Sequence, residues 1–401
     1  MLSKEIMERY ADVLLWGLFT ARTEKYAKGD IILVRFDLPA LSVAEVVQKK
    51  VLEHGFHPVM RLMPTAGLER QFFSVADKAQ AAFIPPGETE LYEGIQGSIY
   101  LIAPESLTHL KDSPPDLLSA ASLSRKPLRD ILDRHEQKGS FGWTLGIVPT
   151  KALAAQAKTT LAAYGRQWRA ACFLDDPDPV SRWKGIFDKT QKLKAWLNGM
   201  EIESLQVKSE RCDLTVTPGK QRRWAGVSGH NIPSFEVFIS PDYNGTEGVY
   251  HADQPSFRYG NYIKGVTLVF EKGRVIDARA DEGEEFLKKQ VEMDAGACRL
   301  GEFSLTDRRF SRIDRFMANT LFDENFGGRF GNCHVALGSS YADTFSGDQE
   351  QFTPALKKEL GFNDSALHWD LVNTEKKTVT ATLVSGEKKI IYENGQFAMN
   401  E

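Results

Sequence analysis

His368 and Asp370 stand two residues apart in the apolar run Ala366-Leu367-His368-Trp369-Asp370-Leu371-Val372. On a strand, side chains two apart project from one face. An imidazole and a carboxylate would then face together, which suits a hard or borderline divalent metal. It equally suits a His–Asp hydrogen bond beside a core. His334, in Cys333-His334-Val335-Ala336-Leu337-Gly338, reads as a metal ligand or as a satisfied core histidine. Glu236 lies inside Phe235-Glu236-Val237-Phe238-Ile239, where burial without a partner is costly. On a half-exposed strand it would simply face water. Glu302, after Arg299-Leu300-Gly301, reads alone as an ion-paired acid. Glu324, in Phe322-Asp323-Glu324-Asn325, reads alone as a turn or capping acid.

Other enzyme signatures are missing. His135-Glu136 has no second histidine to complete H-E-x-x-H, and there is neither a P-loop nor a G-x-G-x-x-G after a strand. Ser228, in Gly226-Val227-Ser228-Gly229, is not in a G-x-S-x-G nucleophile elbow. Cys333 and His334 are adjacent, so on a strand they point to opposite faces and do not make a nucleophile–base pair.

Taken in order, the segments resemble the aminopeptidase T/aminopeptidase S family of thermophilic-type metallo-aminopeptidases. The resemblance is carried by His230-Asn231-Ile232-Pro233 through Glu236-Val237-Phe238, then Gly296-Ala297 through Arg299-Leu300-Gly301-Glu302. Asn319-Thr320-Leu321-Phe322-Asp323-Glu324-Asn325, His334-Val335-Ala336-Leu337-Gly338 and Asn363-Asp364-Ser365-Ala366-Leu367-His368-Trp369-Asp370 follow. It covers nearly all of residues 200–401 and is looser before that.

The resemblance implies a two-metal site with Glu236, Glu302, Glu324, His334, His368 and Asp370 as ligands, and Tyr341 as an active-site tyrosine. It implies two divalent ions, zinc or cobalt foremost, with manganese or magnesium as alternatives. Two such ions about 3.5–4 Å apart share and acidify a water and polarise a carbonyl. Either Glu302 or Glu324 would take the proton of that water, and Tyr341 would donate to the oxyanion. The substrates would be peptides with a free N-terminus, and the chain a homodimer. The alternatives are another two-metal hydrolase acting on a small amide or modified amino acid, and a non-catalytic metal-binding protein. Two departures stand out. Phe326-Gly327-Gly328-Arg329-Phe330-Gly331 inserts between Glu324 and His334, where a Gly-rich bulge would leave the ligands in place. Ser234-Phe235 replaces small glycines before Glu236, which would reshape the substrate pocket.

The elements that must position these residues change character along the chain. Residues 3–20 have a helical period, and Asp30–Phe36 is a short Ile/Val-rich run that reads as a buried strand. Leu41–His54 is helical again, Phe56–Leu62 is the next strand, and Gly97–Ile102 and Gly142–Val148 are further strands. This β-α-β order implies a mostly parallel sheet in an α/β domain over 1–195. One helix is expected over Leu153–Tyr164 and another over Val180–Asn198. Over 196–401 strand patterns dominate, with hairpin turns at Glu271-Lys272-Gly273-Arg274 and Ser385-Gly386-Glu387-Lys388. This half reads as an α+β catalytic domain.

Composition sets outer limits. The 401 residues are 42% hydrophobic and 26% charged, which fits globular domains rather than disorder. The net charge of −4 argues against a nucleic-acid partner, whose footprint is basic. Ala11–Phe19, broken by Asp12, is too short to span a bilayer, and Glu5 and Glu8 sit where a secretion signal would be basic. A cytoplasmic location with no membrane partner is expected. Cys172, Cys212, Cys298 and Cys333 are far apart and are expected to be free thiols.

Overall fold

The computed structural model describes residues 2–258 and 260–399. The chain forms two compact units. One runs to Trp183 and takes in Ser228–Pro233; the other comprises Lys184–Val227 and the chain from Ser234 onward.

The first unit is α/β. Helix α1 (Lys4–Thr20) starts at Ser3, whose hydroxyl accepts the Ile6 amide at 3.3 Å and so caps an otherwise orphaned donor. Strand β1 (Ile31–Phe36), helix α2 (Leu41–Glu53), strand β2 (His57–Leu62), helix α3 (Ala66–Val75), and strands β3 (Gly97–Ile102) and β4 (Gly142–Ile147) follow. A two-residue strand, β5 (Asn231–Ile232), completes the sheet. Among the described residues the order is β2-β1-β3-β4-β5, with every pair parallel. Central parallel strands are covered on both faces, which is why β1 begins with the apolar run Ile31–Val34. Ile32, Leu33 and Val34 are all buried, each contributing about 1.5–3 kcal/mol.

The short β5 has no periodic pattern and is held from α1. Gly17 lies so close to Gly229 that a Cβ would come within 2.6 Å of its carbonyl oxygen. Thr144 donates to that same oxygen at 2.8 Å.

The helix expected over Leu153–Tyr164 is two helices, Lys151–Gln156 and Leu161–Ala171. The chain breaks where Lys158 adopts φ 51°, and Thr160 accepts the Ala163 amide to cap a new start.

The second unit is α+β and rich in antiparallel strands. Its larger sheet has eight strands among the described residues, from Arg274–Arg279 at one edge to Gln396–Phe397 at the other. The hairpin at Lys272-Gly273 places both residues at positive φ, 48° and 74°, and pairs Glu271 with Arg274. The smaller sheet holds β6 (Glu236–Ile239), β7 (Leu300–Thr306), β8 (Asn332–Gly338) and β9 (His368–Asn373), in the order β9-β8-β7-β6. Its pairs are antiparallel.

Register sorts this smaller sheet into two unlike faces. Val237, Phe303, Leu305, Val335, Leu337, Trp369 and Leu371 join the core with Leu205, Leu214, Tyr250 and Leu268 of the larger sheet. Tyr250 crosses that core to donate to the Cys333 and Leu371 carbonyls at 3.0 and 2.8 Å. On the opposite face Thr306 pairs with Glu236, Ser304 with His334, Ala336 with both Glu302 and Asp370, and Gly338 with His368.

Glu302 reaches that face only because β7 is bulged. Leu300 pairs with Leu337 and Glu302 with Ala336, so Gly301 is the extra residue. Plain alternation from Leu300 would turn Glu302 into the core. A Cβ on Gly301 would run into the carbonyl oxygens of Ser339 and Gly338.

Four buried, free cysteines and the absence of any membrane-crossing helix complete the picture among the described residues. Gly301→Ala is expected to lower unfolding free energy by about 1–3 kcal/mol, the usual cost of overpacking. Urea unfolding checks this; an unchanged midpoint would mean that the bulge has room to spare.

Candidate metal centre

The polar face of the β9-β8-β7-β6 sheet gathers side chains that the sequence scatters over more than a hundred residues. His334 Nε2 lies 3.0 Å from one oxygen of Glu302, 3.4 Å from Glu236 and 4.0 Å from Asp370. His368 Nε2 lies 3.5 Å from the other oxygen of Glu302 and 3.4 Å from Asp370. Two donor groups result, Glu236–Glu302–His334 and Glu302–His368–Asp370, each with its ligand atoms within 4.8 Å of one another. Glu302 belongs to both.

The His368 ring is aimed from behind, whereas Nδ1 of His334 is buried without a hydrogen-bond partner among the described residues. His368 Nδ1 lies 2.9 Å from the Ser339 carbonyl, which fixes that nitrogen as the protonated one and frees Nε2 for the site. Arg258 donates to the His368 carbonyl at 2.9 Å and pins the start of β9. His334 is fully buried, and Cys333 beside it points into the core.

Glu324 arrives from a different kind of element. It caps the C-terminus of α4 (Thr320–Asp323). The capping acid of the loop before it is Asp323, which accepts the Met317 and Asn319 amides at 2.7 and 2.9 Å. Asn332 donates to the Glu324 carbonyl at 2.9 Å, and Thr306 donates to it at 3.3 Å. Asn325 takes the Phe235 amide at 2.5 Å and so ties this turn to the residue before Glu236. The Glu324 carboxylate belongs to neither close donor group, but it feels the charges of Glu236, Asp370 and Glu302.

The Phe326–Gly331 insertion curls on itself, with the Gly331 amide donating to Gly327 at 2.7 Å. Asn332 also holds the Phe326 carbonyl at 2.7 Å, so one side chain grips the loop next to its beginning and its end. Phe235, where the sequence departs from glycine, is fully buried. The Tyr341 ring packs 4.7 Å from His368 and 5.6 Å from Phe238, and its amide is held by Ser240 at 2.9 Å. None of Arg258, Asn325, Asn332 or Ser339 stands out from composition or spacing; each acts through a backbone group that only the fold brings near.

The electrostatics are those of crowded acids. Burial, then the charge of Glu302, pushes Glu236 up to about 8. Burial, then Glu236 and Asp370, raises Glu324 well above the carboxylate range. Burial opposes charging His334, but Glu302 outweighs it and pushes the ring up to about 9. His368 is likewise lifted to about 9, burial being outweighed by Asp370. Asp370 alone is held low: burial is overcome by the two imidazoles. Buried carboxylates in this number are neutralised only by keeping protons or by sharing cations. Oxygen and imidazole donors converging at such distances fit divalent ions.

The thermophilic metalloprotease (M29) family matches residues 3–397 of this sequence. The chain belongs to that family. Among relatives of this M29 chain, aminopeptidase AmpS of Bacillus subtilis is 31% identical over 271 residues, 65% of this chain and 64% of AmpS. Aminopeptidase 2 of Geobacillus stearothermophilus is 30% identical over 64% of this chain and 65% of its own. These two matches therefore span just under two thirds of each relative. Aminopeptidase PepS of Streptococcus thermophilus is 24% identical over 99% of this chain and 98% of its own. Wild-type AmpT from Thermus thermophilus has the same fold, with a TM-score of 0.83 at 21% identity, covering 99% of this chain and all of that one.

The raised values give the metal-free chain a definite pH dependence. Glu236 in the folded state keeps a proton that an unfolded glutamate releases near pH ~4.3. His334 and His368 keep theirs past the unfolded value of about 6.5. The folded state thus binds more protons, and stability falls as pH rises toward about 9. Urea midpoints of chelated protein are expected to drop steadily from pH 6 to pH 9, and saturating zinc is expected to flatten the drop. A midpoint that rises with pH would contradict the clustering of these acids.

Proposed function

We propose that this M29 chain is a metal-dependent aminopeptidase that hydrolyses the N-terminal bond of peptides. The observation that carries the reading is the position of Glu302. Its two oxygens face two different histidines and join two donor groups into one site. That supports a pair of divalent ions held by Glu236, Glu302, Glu324, His334, His368 and Asp370, with the mixed nitrogen and oxygen donors favouring zinc or cobalt. When bound, two such ions supply an acidified water and a polarised carbonyl.

The chain's own residues supply the rest. Glu302, which lies between the two groups, or Glu324, which belongs to neither, accepts a proton from the water and returns it to the leaving amine. Tyr341 is 45% exposed as a whole residue, so substrate can reach it. Desolvation of its hydroxyl, followed by the charges of Glu302 and Asp370, raises its pKa well above the ordinary phenol value. The phenol therefore stays protonated and donates to the oxyanion. A carboxylate of this cluster also pairs with the free α-ammonium of the substrate, which restricts cleavage to the first residue. We further read the protein as a cytoplasmic homodimer. The four free thiols support a reducing compartment, and the dimer rests on the family likeness.

The expected result is residue release from free peptides, none from N-acetylated ones, loss on chelation and recovery with zinc or cobalt. In the same assay Tyr341→Phe lowers kcat about 10²-fold, with KM and metal content unchanged. Metal loss in that variant would make Tyr341 a structural or ligating residue. Full activity in it would remove the tyrosine from the mechanism.

A further inference from the structure

Ser228 and Glu136 complete no enzyme motif in the sequence, yet the fold of the first unit brings both to one imidazole. His230 Nδ1 lies 2.8 Å from the Ser228 hydroxyl oxygen. His230 Nε2 lies 3.1 Å from Glu136 Oε1. A hydroxyl, an imidazole and a carboxylate in that order are the parts of an activated serine nucleophile. The base is within reach of the hydroxyl, and a third group orients the base. Such a constellation is recognised by geometry rather than by sequence position. All three residues lie in the first unit, and none belongs to the metal centre, so the site stands or falls independently of the peptidase reading.

The surroundings hold this arrangement. Trp143, on β4, stacks on the His230 ring with centroids 4.2 Å apart and planes 22° apart. Its indole N–H donates to the other Glu136 oxygen at 3.2 Å, so one side chain places both base and acid. The His230 carbonyl accepts the Leu145 amide at 2.7 Å, and the Gly229 carbonyl accepts the Thr144 hydroxyl at 2.8 Å. Just before the serine, Val227 is held at φ 46°. A β-branched residue at positive φ is strained, and such strain persists only where the surroundings over-determine it. Ser228 and His230 are both partly exposed, so a small molecule reaches them. The carboxylate beside Nε2 keeps the ring proton there and leaves Nδ1 bare to take the Ser228 proton. The contact to Glu136 is close but bent, short of hydrogen-bond alignment. Activation is therefore moderate, which suits an ester, whose alcohol leaves more readily than the amine of an amide.

We propose that Ser228, His230 and Glu136 form a second, metal-independent site that hydrolyses small carboxylic esters. Ser228 Oγ attacks the ester carbonyl carbon as its proton passes to His230 Nδ1. The bond from that carbon to the alcohol oxygen breaks, and the alcohol takes the proton from Nδ1. Water then adds to the acyl-serine and gives a proton to Nδ1. The acid departs as Ser228 Oγ recovers that proton. The sum is ester plus water giving acid plus alcohol. Glu136 and Trp143 are positioning residues that act through the imidazole.

The test uses the full chain, chelated, with p-nitrophenyl acetate as the ester and an alkyl fluorophosphonate as the covalent probe. Peptide mapping by mass spectrometry is expected to place the phosphonyl group on Ser228. Ser228→Ala should remove that label and lower ester turnover at least tenfold, and His230→Gln should lower it about 10²-fold. Glu136→Gln should lower kcat at least tenfold with KM unchanged, while Glu302→Gln at the metal centre leaves turnover as it was. Matching unfolding midpoints certify that each variant is folded, and labelling of the unsubstituted chain decides the matter should one of them not fold. No label on Ser228, equal turnover in Ser228→Ala, or loss of turnover in Glu302→Gln would each overturn the proposal.

Discussion

Buried carboxylates that repel one another are the constraint around which the second unit is organised. Glu236, Glu302, Glu324 and Asp370 share a small volume with two imidazoles, and left alone they would spread apart or hold protons. The surroundings prevent the first escape. Four antiparallel strands fix three of the acids at set register positions, and the opposite face of the same strands is locked into the core. A one-residue slip would exchange the two faces and drive charges into a hydrocarbon interior. The core therefore defends the site, and the site's charges defend the register of the core.

Much of this was legible from residue types. The apolar run Ile31–Val34 of β1 announces a strand covered on both faces, and the order of helices and strands announces a parallel sheet. His368 and Asp370 share a face because strand alternation is a period of two. The family likeness named the remaining candidates. Alternation by itself misplaces Glu302, because Gly301 interrupts it, and a bulge has no signature in spacing. The hand-holds of Asn325, Asn332 and Arg258 were invisible for another reason: they are bonds to backbone atoms, indifferent to the identity of the residue they reach. The helix break at Lys158 escaped because alanine-rich sequence on both sides reads as one helix. Ser228–Pro233 joins the first unit through a strand of two residues, too short to carry any period.

The two units use sheets in opposite ways. In the first, the strands end together, and the space beyond their carboxyl ends is left to loops. In the second, the functional groups stand on the face of the strands themselves, where each Cα is fixed by ladder hydrogen bonds. The first arrangement suits recognition that tolerates variation in loops. The second suits chemistry that demands sub-ångström placement of several side chains at once.

Asn332 holds the Glu324 and Phe326 carbonyls with one amide, and it is also the first residue of β8. The five residues between Phe326 and Asn332 hang from a closed clasp. Closing a longer loop costs only slowly growing chain entropy, about 0.6 kcal/mol for each doubling of length. Chain can be added or removed here at little entropic cost as long as the Gly327 and Gly328 amides keep the Ile313 carbonyl and Arg308 keeps that of Arg329. The clasp makes this segment a place where related proteins are free to differ in length while the site they carry keeps its shape.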